Sequence, residues 1–208
     1  CLFSARCNIG GDVRDINAGI SIDGFGCIFV DCSISGCVSC ISVGSAEFCG
    51  VYFENCTISK RVRDITVNRS FEDYGIFMFN CTVKKQVSEL FVGSTQQDAI
   101  AVCNCSIVGG LYRLRVYDSF EGRGIRIENS TVGNIGQLYV SRAALQGIHV
   151  INTTVRGTVY MLFVNDTGLE GVVFRDVSVF GRMYWVEVRG AQRGGLVPVS
   201  YTHLTLPT

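Results

Sequence analysis

The chain has 208 residues, 18 Lys plus Arg against 18 Asp plus Glu, 48% hydrophobic residues and only 17% charged ones. Zero net charge argues against nucleic acid, which needs a basic stripe to displace counterions from phosphates. No apolar run approaches the ~20 residues that span a bilayer.

Twenty-four glycines, two prolines and abundant Val, Ile, Phe and Tyr suit strands joined by tight turns. No segment carries capped apolar residues at helical spacing. No charged-then-apolar signal segment opens the chain. Cys1 already stands inside a repeat, so the N-terminus reads as cut.

Along the chain one nine-residue pattern recurs: Gly50-Val-Tyr-Phe-Glu-Asn-Cys-Thr-Ile58, and again from Gly75, Gly124 and Gly147. Weaker copies start at Gly26, Ala99 and Gly171, and the starts are 23 to 25 residues apart. A second pattern follows each copy: Val62-x-x-Ile65-x-Val67, Val87-x-x-Leu90-x-Val92, Leu111-x-x-Leu114-x-Val116, Val159-x-x-Leu162-x-Val164 and Met183-x-x-Val186-x-Val188. Val13-x-x-Ile16-x-Ala18 sets the first, partial coil in the same register, which makes eight coils visible.

Within the nonapeptide, apolar second and fourth places alternate with more polar ones, as in a strand with one buried face. The bend then falls at Asp31, Asn55, Asn80, Asn104, Asn129, Asn152 and Asp176, residue types that tolerate left-handed backbone. Stacked ~4.8 Å apart, their amides are expected to be buried and to bond along the axis. The next side chain points inward, giving the stack Cys7, Cys32, Cys56, Cys81, Cys105, Ser130, Thr153 and Val177.

Coil length, asparagine ladder and aliphatic stacks together resemble the right-handed parallel β-helix superfamily, which includes pectate lyases, polygalacturonases and phage tailspikes. The resemblance spans residues 1 to about 197. It implies an all-β fold, a single-stranded right-handed parallel β-helix (solenoid) with about 24 residues per coil. The rival is a leucine-rich repeat, whose strand motif Val-x-x-Leu-x-Val also fits. Against it stand Ser70, Thr95, Ser119, Ala143 and Thr167 where that family places Asn or Cys, and a second half-coil of β-branched residues.

Residues 1–197 thus form one β-helix, expected to be truncated at both ends. Residues 198–208 match no repeat, and Val199 to Thr208 spell an in-frame translation of a transposase-type sequencing adapter. This tail is expected to be non-native, and from Val199 onward to have no defined place in the coil.

Eleven cysteines invite a disulfide or metal reading. Five belong to the inward stack, where parallel neighbours hold their β-carbons nearer 4.8 Å than the ~3.8 Å of a disulfide. Cys37-x-x-Cys40 and Cys103-x-Cys105 lack a second ligand pair in their coils, so no metal and no cofactor is expected. Of seven Asn-x-Ser/Thr tripeptides, five are the ladder itself, which leaves Asn68 and Asn165 as exposed acceptors. His149, at an outward place between Arg126 and Val173, is expected to be a solvent-exposed residue without a catalytic partner.

The second strand carries the more telling columns. Its outward places cluster aromatics and arginines on coils four to eight: Tyr112, Arg113, Arg115, Tyr139, Arg142, Tyr160, Phe163, Trp185 and Glu187 are the candidate substrate-binding residues. Such rings interleaved with Arg suit sugar rings and their carboxylates. Asp118, Arg142 and Asp166 form one column, with the two carboxylates about 9.6 Å apart across two coils. That is near the ~6.5–9.5 Å of inverting glycosidases, so Asp118 and Asp166 are the candidate catalytic pair, against a plain salt-bridge ladder.

The resemblance does not supply catalytic residues. No Asp-Asp pair with Gly-His-Gly and Arg-x-Lys is present, as polygalacturonases carry, and no Arg-x-Pro-x-x-Arg of pectate lyases. The expected function is a carbohydrate-binding or polysaccharide-degrading β-helix, a depolymerase or receptor-binding spike segment that is extracellular, on a cell surface or on a phage particle. The alternative is a non-catalytic structural repeat, an adhesin shaft. The expected partners are a polysaccharide or glycan and two further copies in a homotrimer. A covering partner is inferred from apolar outward places on the first strand, Ile28, Tyr52 and Phe77 in one column and Val30, Phe79, Cys103 and Ile151 in the other; it is either a neighbouring subunit, a homotrimer being what the tailspike resemblance implies, or a segment missing from the chain.

Overall fold

The computed structural model describes residues 2–21 and 24–202, with side chains for 4–21 and 24–197. The chain winds as a parallel β-solenoid of about eight turns, and successive turns pair in register about 24 residues apart. No helix occurs among the described residues, so none is long and apolar enough to cross a membrane. The other half of each turn is itself a parallel sheet, which a leucine-rich repeat with one strand per repeat does not form.

One coil illustrates the rest. The strand Ile76–Phe79 buries Ile76 and Met78 and turns Phe77 and Phe79 outward. Asn80 follows with φ 52°, and the same left-handed backbone recurs at Asp31, Asn55, Asn104, Asn129, Asn152 and Asp176. A short arm, Thr82–Val83, and a long strand, Gln86–Thr95, complete the turn. Long strands stack into one eight-stranded sheet, while the first strands and arms form the other.

Packing explains the glycine that opens every nonapeptide but the one at Ala99. A β-carbon on Gly75 would lie 2.5 Å from Val92 Cγ1, and on Gly124 2.3 Å from Val140 Cγ1. The opposite sheet fills that space, so the constraint is volume, not backbone angle.

The long strand has its own device. Three-residue spacing puts two apolar residues on opposite faces of a flat strand. Left-handed backbone at Asp15, Cys40, Asp64, Glu89 and Arg113, with φ from 53° to 60°, resets the alternation as a bulge does, so Val87 and Leu90 both point inward. Gln137, Met161 and Trp185 hold this place in later coils without a positive φ.

The inward stack after the Asn bend is buried from Cys32 through Val177. Its chemistry has one physical reason. The thiols of Cys32, Cys56, Cys81 and Cys105 each donate to the carbonyl two residues back at 3.2 Å, and the hydroxyls of Ser130 and Thr153 do so at 2.7 Å. A small side chain with one donor fits the narrow core and satisfies a carbonyl at the corner. The described cysteines are all free.

Two expectations are corrected here. Ladder amides do bond where Asn55 donates to Asp31 at 3.0 Å and Asn80 to Asn55 at 2.7 Å, but every ladder residue is exposed. A left-handed corner throws its side chain off the convex edge of the coil. The five ladder Asn-x-Ser/Thr sites are therefore as open as Asn68. At the other end, the strand Gly194–Thr202 pairs Tyr201 with Val177, so the backbone of 199–202 has a place in the coil. Residues 203–208 lie outside the described residues.

Candidate functional site

Concavities open on the outer face of the long-strand sheet, across Gln86–Thr95, Gly110–Ser119, Ile135–Ala143, Val159–Thr167 and Met183–Ala191. The first, of about 590 Å³, runs along the axis past Tyr112, Gly136, Tyr160, Tyr184 and Trp185. A β-carbon on Gly136 would meet Tyr112 Cδ1 at 2.2 Å, so the glycine is where the Tyr112 ring lies down. The second, of about 410 Å³, is lined by Phe91, Arg115, Tyr117, Tyr139 and Phe163. Arg113, Gln137 and Met161 line both and form the ridge between them.

The structure thus brings most of the sequence-derived binding residues together. Tyr112, Arg113, Tyr160 and Trp185 share the first groove, while Arg113, Arg115, Tyr139 and Phe163 share the second. Glu187 serves its neighbours, accepting from Trp185 Nε1 at 3.3 Å and Arg189 Nε at 2.7 Å. Gln137, Met161, Tyr184 and Gly136 complete the walls.

The rings also stack on one another. Tyr139 and Phe163 lie 5.1 Å apart at 3°, and Tyr160 and Tyr184 5.9 Å apart at 12°. Those separations exceed the ~3.5–4 Å of atomic contact, so the pairs are offset, and the Arg189 guanidinium lies over the Phe163 ring at 5.5 Å. Trp185 is 57% exposed and Tyr160 45%.

Charge is arranged unevenly. Arg113 donates to Glu89 at 2.6 Å. A hydrogen bond with Asp64 raises the Glu89 carboxyl above its ordinary range, helped by desolvation and opposed by Arg113. Arg115 is exposed, and its guanidinium has no hydrogen bond or ion pair among the described residues.

Asp118, Arg142 and Asp166 share a third concavity of about 280 Å³. Arg142 donates to both oxygens of Asp118, at 2.5 and 2.7 Å, and Asp118 in turn raises the Arg142 pKa. Asp166 accepts from Asn165 Nδ2 at 3.0 Å. Each oxygen of Asp118 thus accepts from Arg142, which is the geometry of a salt-bridge ladder. Among the described residues no three His, Cys, Asp or Glu side chains lie close enough to hold a metal ion.

A polar network on the other sheet escaped the sequence reading. Asp98, 4% exposed, accepts from the Arg123 amide at 2.7 Å and from the Arg123 and Arg126 guanidiniums at 3.5 Å. Arg123 Nε donates to Gln146 at 3.1 Å, and Gln146 to Glu170 at 2.9 Å. Arg126 also pairs with Glu128. The available signal was the column preceding each nonapeptide: Tyr74, Asp98, Arg123, Gln146, Glu170.

His149 corrects the exposed-histidine expectation, since it is only 5% exposed. Arg126 and Val173 flank it in register, and its Nδ1 has no hydrogen-bond partner. Burial, then the charges of Arg123, Arg175 and Arg126, lower its pKa to about 4. The unfolded chain therefore binds the proton first, so stability present above about pH 6.5 is lost as pH falls toward about 4, up to roughly 3 kcal/mol. Urea midpoints at pH 7 and 4.5 should shift less in His149→Gln than in the parent. Equal shifts would mean His149 is solvated.

The apolar first-strand columns are also less naked than expected. Ile28, Tyr52, Phe77, Val30, Phe79 and Ile151 are half-buried and Cys103 buried, because the rings pack on each other. Tyr52 and Phe77 lie 5.5 Å apart, and Tyr74 stacks on Phe77 at 4.6 Å.

Comparison of this chain with protein-family models, with curated proteins and with solved structures gave no significant match.

Proposed function

We propose that this solenoid binds glycans on the outer face of its long-strand sheet and holds them without cleaving them. The carrying observation is the pair of aromatic-lined grooves on one face, one of them with the unpaired Arg115. Aromatic faces cover the apolar side of a sugar ring, and a free guanidinium suits a carboxylate on it. Binding alone is favoured because Arg142 occupies Asp118, the nearest counterpart of a catalytic carboxylate. The resemblance to carbohydrate-active β-helices points the same way, as analogy.

The test is a glycan array probed with the chain and with Tyr160→Ala/Tyr184→Ala. Both rings are about half exposed, so folding should survive while affinity falls about tenfold per ring, roughly 1.4 kcal/mol each. No glycan retained, or equal retention by the variant, sinks the reading.

The mutual stacking of the rings favours a second reading, a shaft in which the aromatic columns only tie coil to coil. In that case the variant should lose melting temperature and no ligand.

A further inference from the structure

The two grooves differ in chemistry and run side by side. One track follows Tyr112, Tyr160 and Tyr184, the other Phe91, Tyr139 and Phe163. Within each strand the tracks stand three residues apart, as Tyr160 and Phe163 do. At ~3.3 Å per residue that separation is about 10 Å. Between them rises the ridge of Arg113, Gln137 and Met161, the last 45% exposed. At Gln137 and Met161 the backbone leaves the left-handed bend of earlier coils, and the two residues pair in register, so the ridge is straight there.

The tracks also carry charge differently. Arg113, on the ridge, is already held by Glu89, whereas Arg115 in the second track is unpaired. A linear chain seated in the tyrosine track leaves the second track empty and leaves Arg115 without an anion. A side branch crossing the ridge at Gln137 and Met161 fills both.

Building on the glycan-binding reading, we propose that the ligand is a branched glycan, its main chain in the tyrosine track and an anionic branch residue in the second track against Arg115. The anion is a carboxylate of a uronic acid or a sulfate ester, since a guanidinium pairs with either.

The experiment uses the full chain on arrayed oligosaccharides of several backbones. Each backbone is present as a linear form, with a neutral branch, with a uronic-acid branch and with a sulfated branch. An anionic-branched member should bind about tenfold more tightly than its linear counterpart, the scale of one charge-assisted contact. The uronic and sulfated arms tell which anion is read. Arg115→Gln, at an exposed position, should erase that excess, so that the anionic-branched and neutral-branched members of one backbone bind alike. Tyr160→Ala/Tyr184→Ala should weaken every member. Linear and branched forms binding alike, or Arg115→Gln weakening both equally, overturns the branched-ligand proposal and leaves glycan binding standing. Retention of no member overturns both.

Discussion

Val92→Asp should abolish the folded solenoid. Val92 is fully buried and pairs in register with Val67 and Val116 of the adjoining coils. Its methyl groups fill the space where Gly75 has no side chain. A carboxylate there would face only hydrocarbon, with neither a cation nor an unused donor within the stack. Burying it, or protonating it to avoid the charge, costs about 4 kcal/mol or more. That is a large part of the ~5–15 kcal/mol that holds an ordinary domain folded. Each coil is stabilised only by its neighbours, so damage at the middle of the stack weakens both halves. Far-ultraviolet circular dichroism and thermal melts of Val92→Asp and the near-isosteric Val92→Thr would show it. An unchanged melting temperature for the Asp variant would mean that inside and outside have been confused.

Asp98→Ala should be the most damaging polar substitution, costing about 2–4 kcal/mol. The carboxylate is nearly buried and meets an amide and two guanidiniums. Its removal strands the Arg123 amide and leaves both guanidiniums short of an anion. The cost stays below that of a fully buried pair, because Arg123 keeps Gln146, Arg126 keeps Glu128, and each Arg side chain is 27% exposed. Asp98→Asn retains an acceptor for the amide and loses only charge, so it should fall between. Urea unfolding of these two variants and of Arg126→Gln, alone and combined with Asp98→Ala, would give the coupling directly. A loss below about 0.5 kcal/mol for Asp98→Ala would show that the network merely decorates the surface.

Much of the fold was legible because the repeat states the same local requirement in coil after coil. Asn or Asp at the corner, Gly against Val, and a small donor after the bend are each dictated by one backbone angle or one volume. The aromatic and arginine columns were legible for the same reason, since strand alternation fixes which residues face out. Facing out is not being exposed, however. His149 and Asp98 are covered by longer side chains that lie one coil away along the axis and more than 20 residues away in sequence. The ladder asparagines were misjudged in the opposite direction, because a corner projects its side chain into solvent even where it bonds to the ladder residue of the next coil.

The sequence by itself determined the period, the bends, the inward stacks and the face that carries the rings, all properties of one coil repeated. Only the tertiary structure decided how side chains of unequal length in adjoining coils lean on one another. Gly136 gives Tyr112 room to lie flat, Arg142 closes over Asp118, and Arg113 is held by Glu89 while Arg115 stays free. Those outcomes depend on pairs ~4.8 Å apart along the axis, where a single small or long residue changes which groups can touch.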